Sequence, residues 1–417
     1  MRKRGLGGIM ETLSKNNDRY NFFYDLKNTN YKYTILYIDI IKFRLINNAY
    51  GINESNLLLK QITEKIDKIG SNLKMDINIC MYEKDIILIK LSNCNNKKLT
   101  ALINSIVMSK YKYSINFRMA FMELYEYGDV LNFIENIKYV FKCKKYEVTD
   151  ENYNIEDLNI EYHIKRYQEL KNDILSNNNR FFSLVYQPKV ELKYNNIISW
   201  EVLSRWNHPK YGFISPIEFI KIIKDLDREY EFDIYILEQM CKEISRLNFD
   251  HSIYSINISV NTLKNPNIYD KILEITSKYY INPSKITFEI VETSQVEDYD
   301  IITEIINNLN KMGYNISIDD FGTGYSSYYR LCNINFSEVK IPREFLPSKK
   351  DNREKKMAVL KGIVNMCKNL GCKTVIEGIE TKDDHELASY LGVDYAQGYL
   401  YSHPVTIDES LKMIINS

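Results

Sequence analysis

The chain lacks the usual covalent and metal staples. Its seven cysteines (Cys80, Cys94, Cys143, Cys241, Cys332, Cys367 and Cys372) are scattered without C-x-x-C spacing, and only five histidines accompany them. That pattern speaks against a structural zinc site or a disulfide framework and suits reduced thiols in cytosol. An excess of one charge is missing as well, since 55 Lys and Arg balance 55 Asp and Glu. A neutral chain is not built to coat nucleic acid. No run reaches the ~18–20 apolar residues that span a bilayer. The basic stretch Met1–Met10 is not followed by the apolar segment of a signal peptide. These absences lead us to expect a soluble cytoplasmic protein. The Asn, Lys, Ile and Tyr spread along the whole chain reads as compositional bias and carries no mechanism.

What is present is ordinary globular composition, 45% hydrophobic and 26% charged over 417 residues, enough for two or three domains. Between Thr34 and Tyr146, short apolar strands alternate with amphipathic helices. Thr34–Ile40 is β-branched and aromatic, Ser55–Ile66 has helical spacing, and Met75–Leu91 reads as a hairpin broken near Glu83-Lys84-Asp85. The spacing of Ile164, Tyr167, Leu170 and Ile174 predicts a connecting helix that ends at Asn177-Asn178-Asn179. From Arg180 onward, strand-like runs recur at Phe182–Val190, Ile197–Leu203, Ile253–Val260, Ile286–Val291, Asn315–Ile318, Val339–Ile341, Thr374–Ile376 and Tyr395–Tyr401. Helical segments lie between most of them. One opens with Ser215-Pro216-Ile217-Glu218, a capping box with proline at the first helical position. The expected architecture is α/β. A smaller domain spans residues 11–146, a linker with its helix 147–179, and a TIM-like (β/α)8 barrel 180–417.

In such barrels the active site lies at the C-terminal ends of the strands. The apolar runs here give way to Glu201, Asn257, Glu289 with Glu292, Asp319-Asp320, Lys340, Glu377 with Glu380, and Gln397. Each acid taken singly reads as a turn former or a solvated charge. Together, on one rim, they form a ring of carboxylates that would repel itself if empty. Oxygen-rich clusters suit hard cations such as Mg²⁺ or Mn²⁺. The pair Asp319-Asp320 could let one carboxylate bridge two ions, and two ions ~3.5–4 Å apart clamp a phosphodiester and acidify water. Lys340 could orient that water or balance developing charge. The chemistry indicated is phosphodiester hydrolysis.

These residues carry a resemblance. Glu201-Val202-Leu203-Ser204-Arg205-Trp206 resembles the signature of the EAL family, with valine in place of alanine. Tyr186-Gln187-Pro188 resembles its opening strand, Phe288–Glu292 its E-x-x-E segment, and Asp319–Ser327 its most specific motif without change. Glu377-Gly378-Ile379-Glu380-Thr381 and Gln397-Gly398-Tyr399 complete the series. The resemblance implies cleavage of cyclic di-GMP to linear pGpG with two Mg²⁺ or Mn²⁺ ions, and a homodimer. It implies metal binding by Glu201, Asn257, Glu289, Asp319 and Asp320, with Glu377 as a second-metal ligand or general base. Lys340 would hold the attacking water, Gln187, Arg205 and Gln397 would face substrate, and Glu292 and Glu380 would brace the loops. Two departures stand out. Lys340-Ile341-Pro342 replaces the family's Lys-Ile-Asp, and Ile376 replaces the alanine before the glutamate. A receptor that binds cyclic di-GMP without cutting it is the alternative, and Pro342 is the argument for it.

Residues from about Glu11 to Tyr146 resemble a GGDEF domain, the diguanylate cyclase fold, in degenerate form. Asp39 and Asn47 survive from its D-x-D-x-F-K-x-x-N-D pattern, but the second aspartate is Ile41. Its signature loop stands as Tyr82-Glu83-Lys84-Asp85-Ile86 without glycine, so the backbone could not approach a triphosphate. The expectation is an inactive domain used for packing or dimerisation, or a remnant pocket around Asp39 and Asn47 that still takes GTP.

Overall fold

The computed structural model describes residues 19–141, 147–149, 154–176, 182–247, 252–291, 299–322, 334–347 and 352–416. Two compact units divide the chain, Met1–Asn172 and Asp173–Ser417, the division falling inside the helix Glu161–Ser176. Among the described residues no helix is long and apolar enough to cross a membrane.

The first unit is built on one sheet. Its strands are β1 (Tyr33–Ile40), β2 (Asp76–Met81), β3 (Ile86–Ser92), β4 (Phe117–Leu124) and β5 (Glu147–Val148), in the order β2-β3-β1-β4-β5. The β-branched and aromatic run of β1 sits centrally, antiparallel to β3 and β4, and is buried along nearly its whole length. Such residues pack well on a pleated, covered surface. β2 and β3 form the expected hairpin, with Glu83-Lys84-Asp85 in its turn. The helices Ile52–Asn72 and Asn96–Val107 each bury one apolar stripe, Leu58, Leu59, Ile62 and Ile66 on the first and Leu99, Leu102, Ile103 and Ile106 on the second.

In the second unit β6 (Phe182–Glu191), β7 (Ile197–His208), β9 (Ile253–Asn257), β10 (Ile286–Val291), β11 (Asn315–Asp319), β12 (Glu338–Ile341), β13 (Lys373–Ile376) and β14 (Tyr395–Ala396) close into a barrel. The order runs β6-β14-β13-β12-β11-β10-β9-β7, and β6 pairs back onto β7. A short β8 (Gly212–Ile214) extends β7 outside the ring. The ring is not all parallel, because β6 runs antiparallel to both neighbours. Its link to β7 is too short for a helical crossover, and Asn195 turns in the left-handed region at φ 58°. Strands joined by a tight turn have no option but to run antiparallel.

Two local expectations change. The strand expected over Tyr395–Tyr401 stops at Ala396, because Leu400 N–H donates to Ile379 O and Tyr401 N–H to Gly398 O, away from the ladder. The helix Pro216–Asp225 starts at its proline as expected, but the Ser215 side chain makes no capping bond. The Glu218 N–H goes to the Ser215 backbone oxygen instead, at 2.9 Å.

Candidate active site

Side chains two residues apart on a strand share a face. In the barrel that rule stacks two polar layers, with Glu201, Asn257, Glu289, Asp319 and Lys340 in the upper one. Ser199, Ser255, Thr287, Ser317 and Glu338 stand one step below, all of them buried. Because β6 runs the other way, Gln187 joins the upper layer and Lys189 the lower.

Lys340 is the hub of the upper layer. Its ammonium lies 2.7 Å from Glu289 Oε2, 2.8 Å from Glu377 Oε1, 3.1 Å from Asp319 Oδ1 and 3.5 Å from Glu201 Oε1. Four carboxylates from four strands thus converge on one nitrogen that is 1% exposed. Burial by itself would lower the lysine, but these acids hold it well above the usual range.

Glu201 is hydrogen-bonded at both oxygens. Asn257 Nδ2 donates to Oε1 at 3.1 Å and Gln397 Nε2 to Oε2 at 2.6 Å. Burial pushes its carboxyl up to about 7, against the pull of Lys340. Because Asn257 spends a donor on Glu201, its amide oxygen is left to accept or to ligate. Gln397 Nε2 also donates to Gln187 Oε1 at 3.0 Å, and Gln187 Nε2 reaches Ser402 O at 3.3 Å. The Gln397 Oε1 is buried with no hydrogen-bond partner among the described residues. A buried acceptor left bare is costly unless a bound molecule completes it.

Asp319, Asp320 and Glu377 offer carboxylate oxygens that all lie within 4.8 Å of one another. Asp320 sits in the left-handed region at φ 55°, and its N–H turns back onto Asp319 Oδ1 at 3.1 Å. The loop is anchored by Phe321 N–H donating to Lys340 O. Gly322, at φ +91°, faces the Phe345 ring so closely that a Cβ would lie 2.8 Å from it. Burial raises the Glu377 carboxyl, again against Lys340. Oxygen donors alone, with an amide oxygen among them, are the ligand set of Mg²⁺ or Mn²⁺ rather than zinc. The residues fit such an ion.

Two expected residues stand apart from this cluster. Arg205 is half-buried and spends Nη1 on the Ser204 carbonyl. Glu380 is exposed and pairs with Arg343, the first residue of the turn Arg343–Phe345 after β12. Glu292 and the segment after Gly322 lie outside the described residues. Pro342 follows Ile341 at the end of β12 and is buried, on the face that Lys340 and Glu338 share if the alternation continues. In the first unit Asp39 is already engaged, its Oδ2 2.7 Å from Arg118 Nη2. Burial raises the Asp39 carboxyl while Arg118 opposes it. Asn47 lies in the helix Phe43–Tyr50 and accepts the Gly51 N–H.

Lys189 and Glu338 escaped the sequence reading. Lys189 is 0% exposed, and its ammonium meets Ser255 Oγ at 2.8 Å, Glu289 Oε1 at 2.8 Å and Glu338 Oε1 at 2.6 Å. Glu289 is therefore held by a lysine at each oxygen. Burial would raise it, but the two ammoniums outweigh burial and hold it at about 2. The signal was present as period two: stepping back two residues from the rim residue of a parallel strand, or forward two from Gln187 on β6, reaches this layer.

Comparison with known proteins gives the two units their relatives. The EAL domain pattern matches residues 168–404, and that of the diguanylate cyclase GGDEF domain matches residues 21–124. The bifunctional diguanylate cyclase/cyclic di-GMP phosphodiesterase MucR of Pseudomonas aeruginosa is 26% identical over 402 residues, covering 92% of this chain and 57% of MucR. An uncharacterised Sinorhizobium fredii protein, y4lL, is 24% identical over 91% of this chain and 47% of its own length. The chain thus spans about half the length of these two relatives. The cyclic di-GMP phosphodiesterase RocR of P. aeruginosa is 28% identical over 66% of this chain and 71% of RocR. Among solved structures, the MucR phosphodiesterase in complex with c-di-GMP superposes with a TM-score of 0.54 at 30% identity, covering 58% of this chain and 99% of that one.

Proposed function

The chain belongs to the EAL domain family, and from that premise we propose that it hydrolyses cyclic di-GMP to linear pGpG with Mg²⁺ or Mn²⁺. The observation that carries this reading is the convergence of Glu201, Glu289, Asp319 and Glu377 on Lys340, beside the trio Asp319, Asp320 and Glu377. In this reading Glu201, Asn257, Glu289, Asp319, Asp320 and Glu377 hold the ions. When bound, divalent ions polarise the phosphodiester and make water a better nucleophile. The protein's own groups do the rest. Glu377 takes the proton of the attacking water, its carboxyl raised by burial above the usual carboxylate value. Lys340 offsets the charge that builds on the phosphoryl oxygens as one P–O bond to water forms and the P–O3′ bond breaks, the leaving O3′ taking its proton from solvent. Gln187, Gln397 and Arg205 bind the nucleotide, the bare Gln397 Oε1 accepting one of its N–H or O–H donors. Glu292 and Glu380 brace the neighbouring loops.

In the same reading residues 11–146 are a degenerate GGDEF domain, 147–179 a connector and 180–417 the catalytic domain, with a homodimer as the assembly. The first unit contributes no cyclisation, because Asp39 is engaged by Arg118 and Ile41 stands where a second acid is needed. If its pocket around Asn47 takes GTP, it does so as a regulatory site.

A receptor that binds cyclic di-GMP uncut is the second reading, favoured by the buried Pro342 and by the two lysines on Glu289. Incubation with cyclic di-GMP and Mn²⁺ separates the two: pGpG supports hydrolysis, whereas tight binding of intact nucleotide supports the receptor. Pro342→Asp is expected to raise turnover, by about 10-fold if the added carboxylate braces the ion site. An unchanged rate means that the proline is harmless.

Cation binding is expected to release protons. Glu201, held up to about 7, is largely protonated at pH 6, and a ligating carboxylate must be ionised. Titrating Mn²⁺ at pH 6 in two buffers of different ionisation heat tests this. Release on the order of one proton is expected, with affinity rising from pH 5.5 to pH 7.5. Heats independent of buffer would remove Glu201 from the ligand set.

A further inference from the structure

We infer that Lys189 is a positioning residue, which fixes one oxygen of Glu289 so that the other alone faces the ion site; the inference rests on the hydrolase reading above. Lys189 enters from β6 in the lower layer, crosses beneath the upper one and is fully buried. An ammonium has three donors, and all three are spent: on Ser255 Oγ, on Glu289 Oε1 and on Glu338 Oε1. Glu338 is steadied in turn by Ser317 Oγ at 3.1 Å. The anchor is therefore built from five strands, β6, β9, β10, β11 and β12.

Packing alone does not call for this arrangement. Barrel interiors are usually filled by Val, Ile and Leu, and a buried ion pair contributes little net stability over a well-packed apolar pair. Here the small hydroxyl residues Ser255 and Ser317 leave room for the lysine to cross, and both serve as partners in the network. The consequence falls on Glu289. The terminal torsion of a glutamate is broad, so a carboxylate held only by Lys340 could turn its plane and offer the site one oxygen or both. With Oε1 pinned from below at 2.8 Å, only Oε2 is directed to Lys340 and the barrel mouth. Glu338 neutralises the lysine that does the pinning, so the anchor adds no net charge beneath the ions.

The test uses the full chain with two variants. Lys189→Met keeps an unbranched side chain, one atom shorter, but strands Glu338. Lys189→Met combined with Glu338→Gln removes both charges, leaves Ser317 a partner and keeps the barrel foldable. Mn²⁺ affinity by calorimetry is expected to weaken about 10–100-fold in the folded double variant, as for partners behind metal ligands. kcat should fall with it, while KM for cyclic di-GMP stays within about threefold. A folded double variant with Mn²⁺ affinity and kcat within about twofold of wild type overturns the inference. Failure of wild type itself to bind Mn²⁺ or to cleave overturns instead the hydrolase reading.

Discussion

Glu201→Gln is expected to lower cyclic di-GMP cleavage about 10³-fold or more, about 4 kcal/mol of barrier. The substitution keeps the volume of the side chain and removes its charge. It also sets an amide N–H₂ against a donor, since Glu201 accepts from Asn257 on one side and from Gln397 on the other. Either orientation breaks one of these bonds and displaces Asn257 or Gln397. The loss should therefore appear in kcat through the missing carboxylate, and in KM through Gln397, whose other contact is Gln187. Single-turnover release of pGpG under saturating Mn²⁺ reads the first, and its dependence on cyclic di-GMP the second. A variant that cuts within about tenfold of wild type would show that no ion depends on Glu201, and the site as described would lose its centre.

Lys340→Met produces the second large effect, and most of it shows as stability. In the metal-free protein the ammonium is the shared counter-charge of Glu201, Glu289, Asp319 and Glu377. Removing it leaves acids facing one another in a buried site. Breaking a buried ion pair from one side costs about 3–5 kcal/mol, roughly 10 °C of melting temperature for a domain of this size. Millimolar Mn²⁺ should restore most of that loss by binding only the folded state, whereas EDTA should leave it in full. Identical melting curves for variant and wild type in EDTA would mean that the acids do not need the lysine. The acid limb of wild type has the same origin. Glu289 is lowered from 4.5 to about 2 on folding, so its contribution is present above pH 4.5 and lost as pH falls toward 2. Glu201, raised to about 7, works the other way: its contribution is present below pH 4.5 and lost as pH rises to 7.

Strand and helix periodicity made the barrel, its hairpin-bearing first unit and the connecting helix legible, because burial of one face writes itself into a local pattern. The rim acids were legible for a related reason: each stands where an apolar run ends. The antiparallel first strand was missed, although its cause, the short Leu192–Asn196 link, is local. Lys189 was missed for a deeper reason. A lysine inside a strand reads as a solvated charge until the three strands that supply its partners are brought together.

By itself, then, the sequence determined the order of the strands and the oxygen-rich residues they carry, since strand alternation and turn placement depend on near neighbours. Only the tertiary structure decided the pairing: Lys340 at the hub of four carboxylates, Glu289 divided between two lysines, Asp39 taken by Arg118. The first two depend on ring closure, which sets groups as many as 215 residues apart within hydrogen-bonding distance; the third depends on the pairing of β1 with β4. Coulomb and hydrogen-bond energies follow distance in space, and no local spacing encodes it.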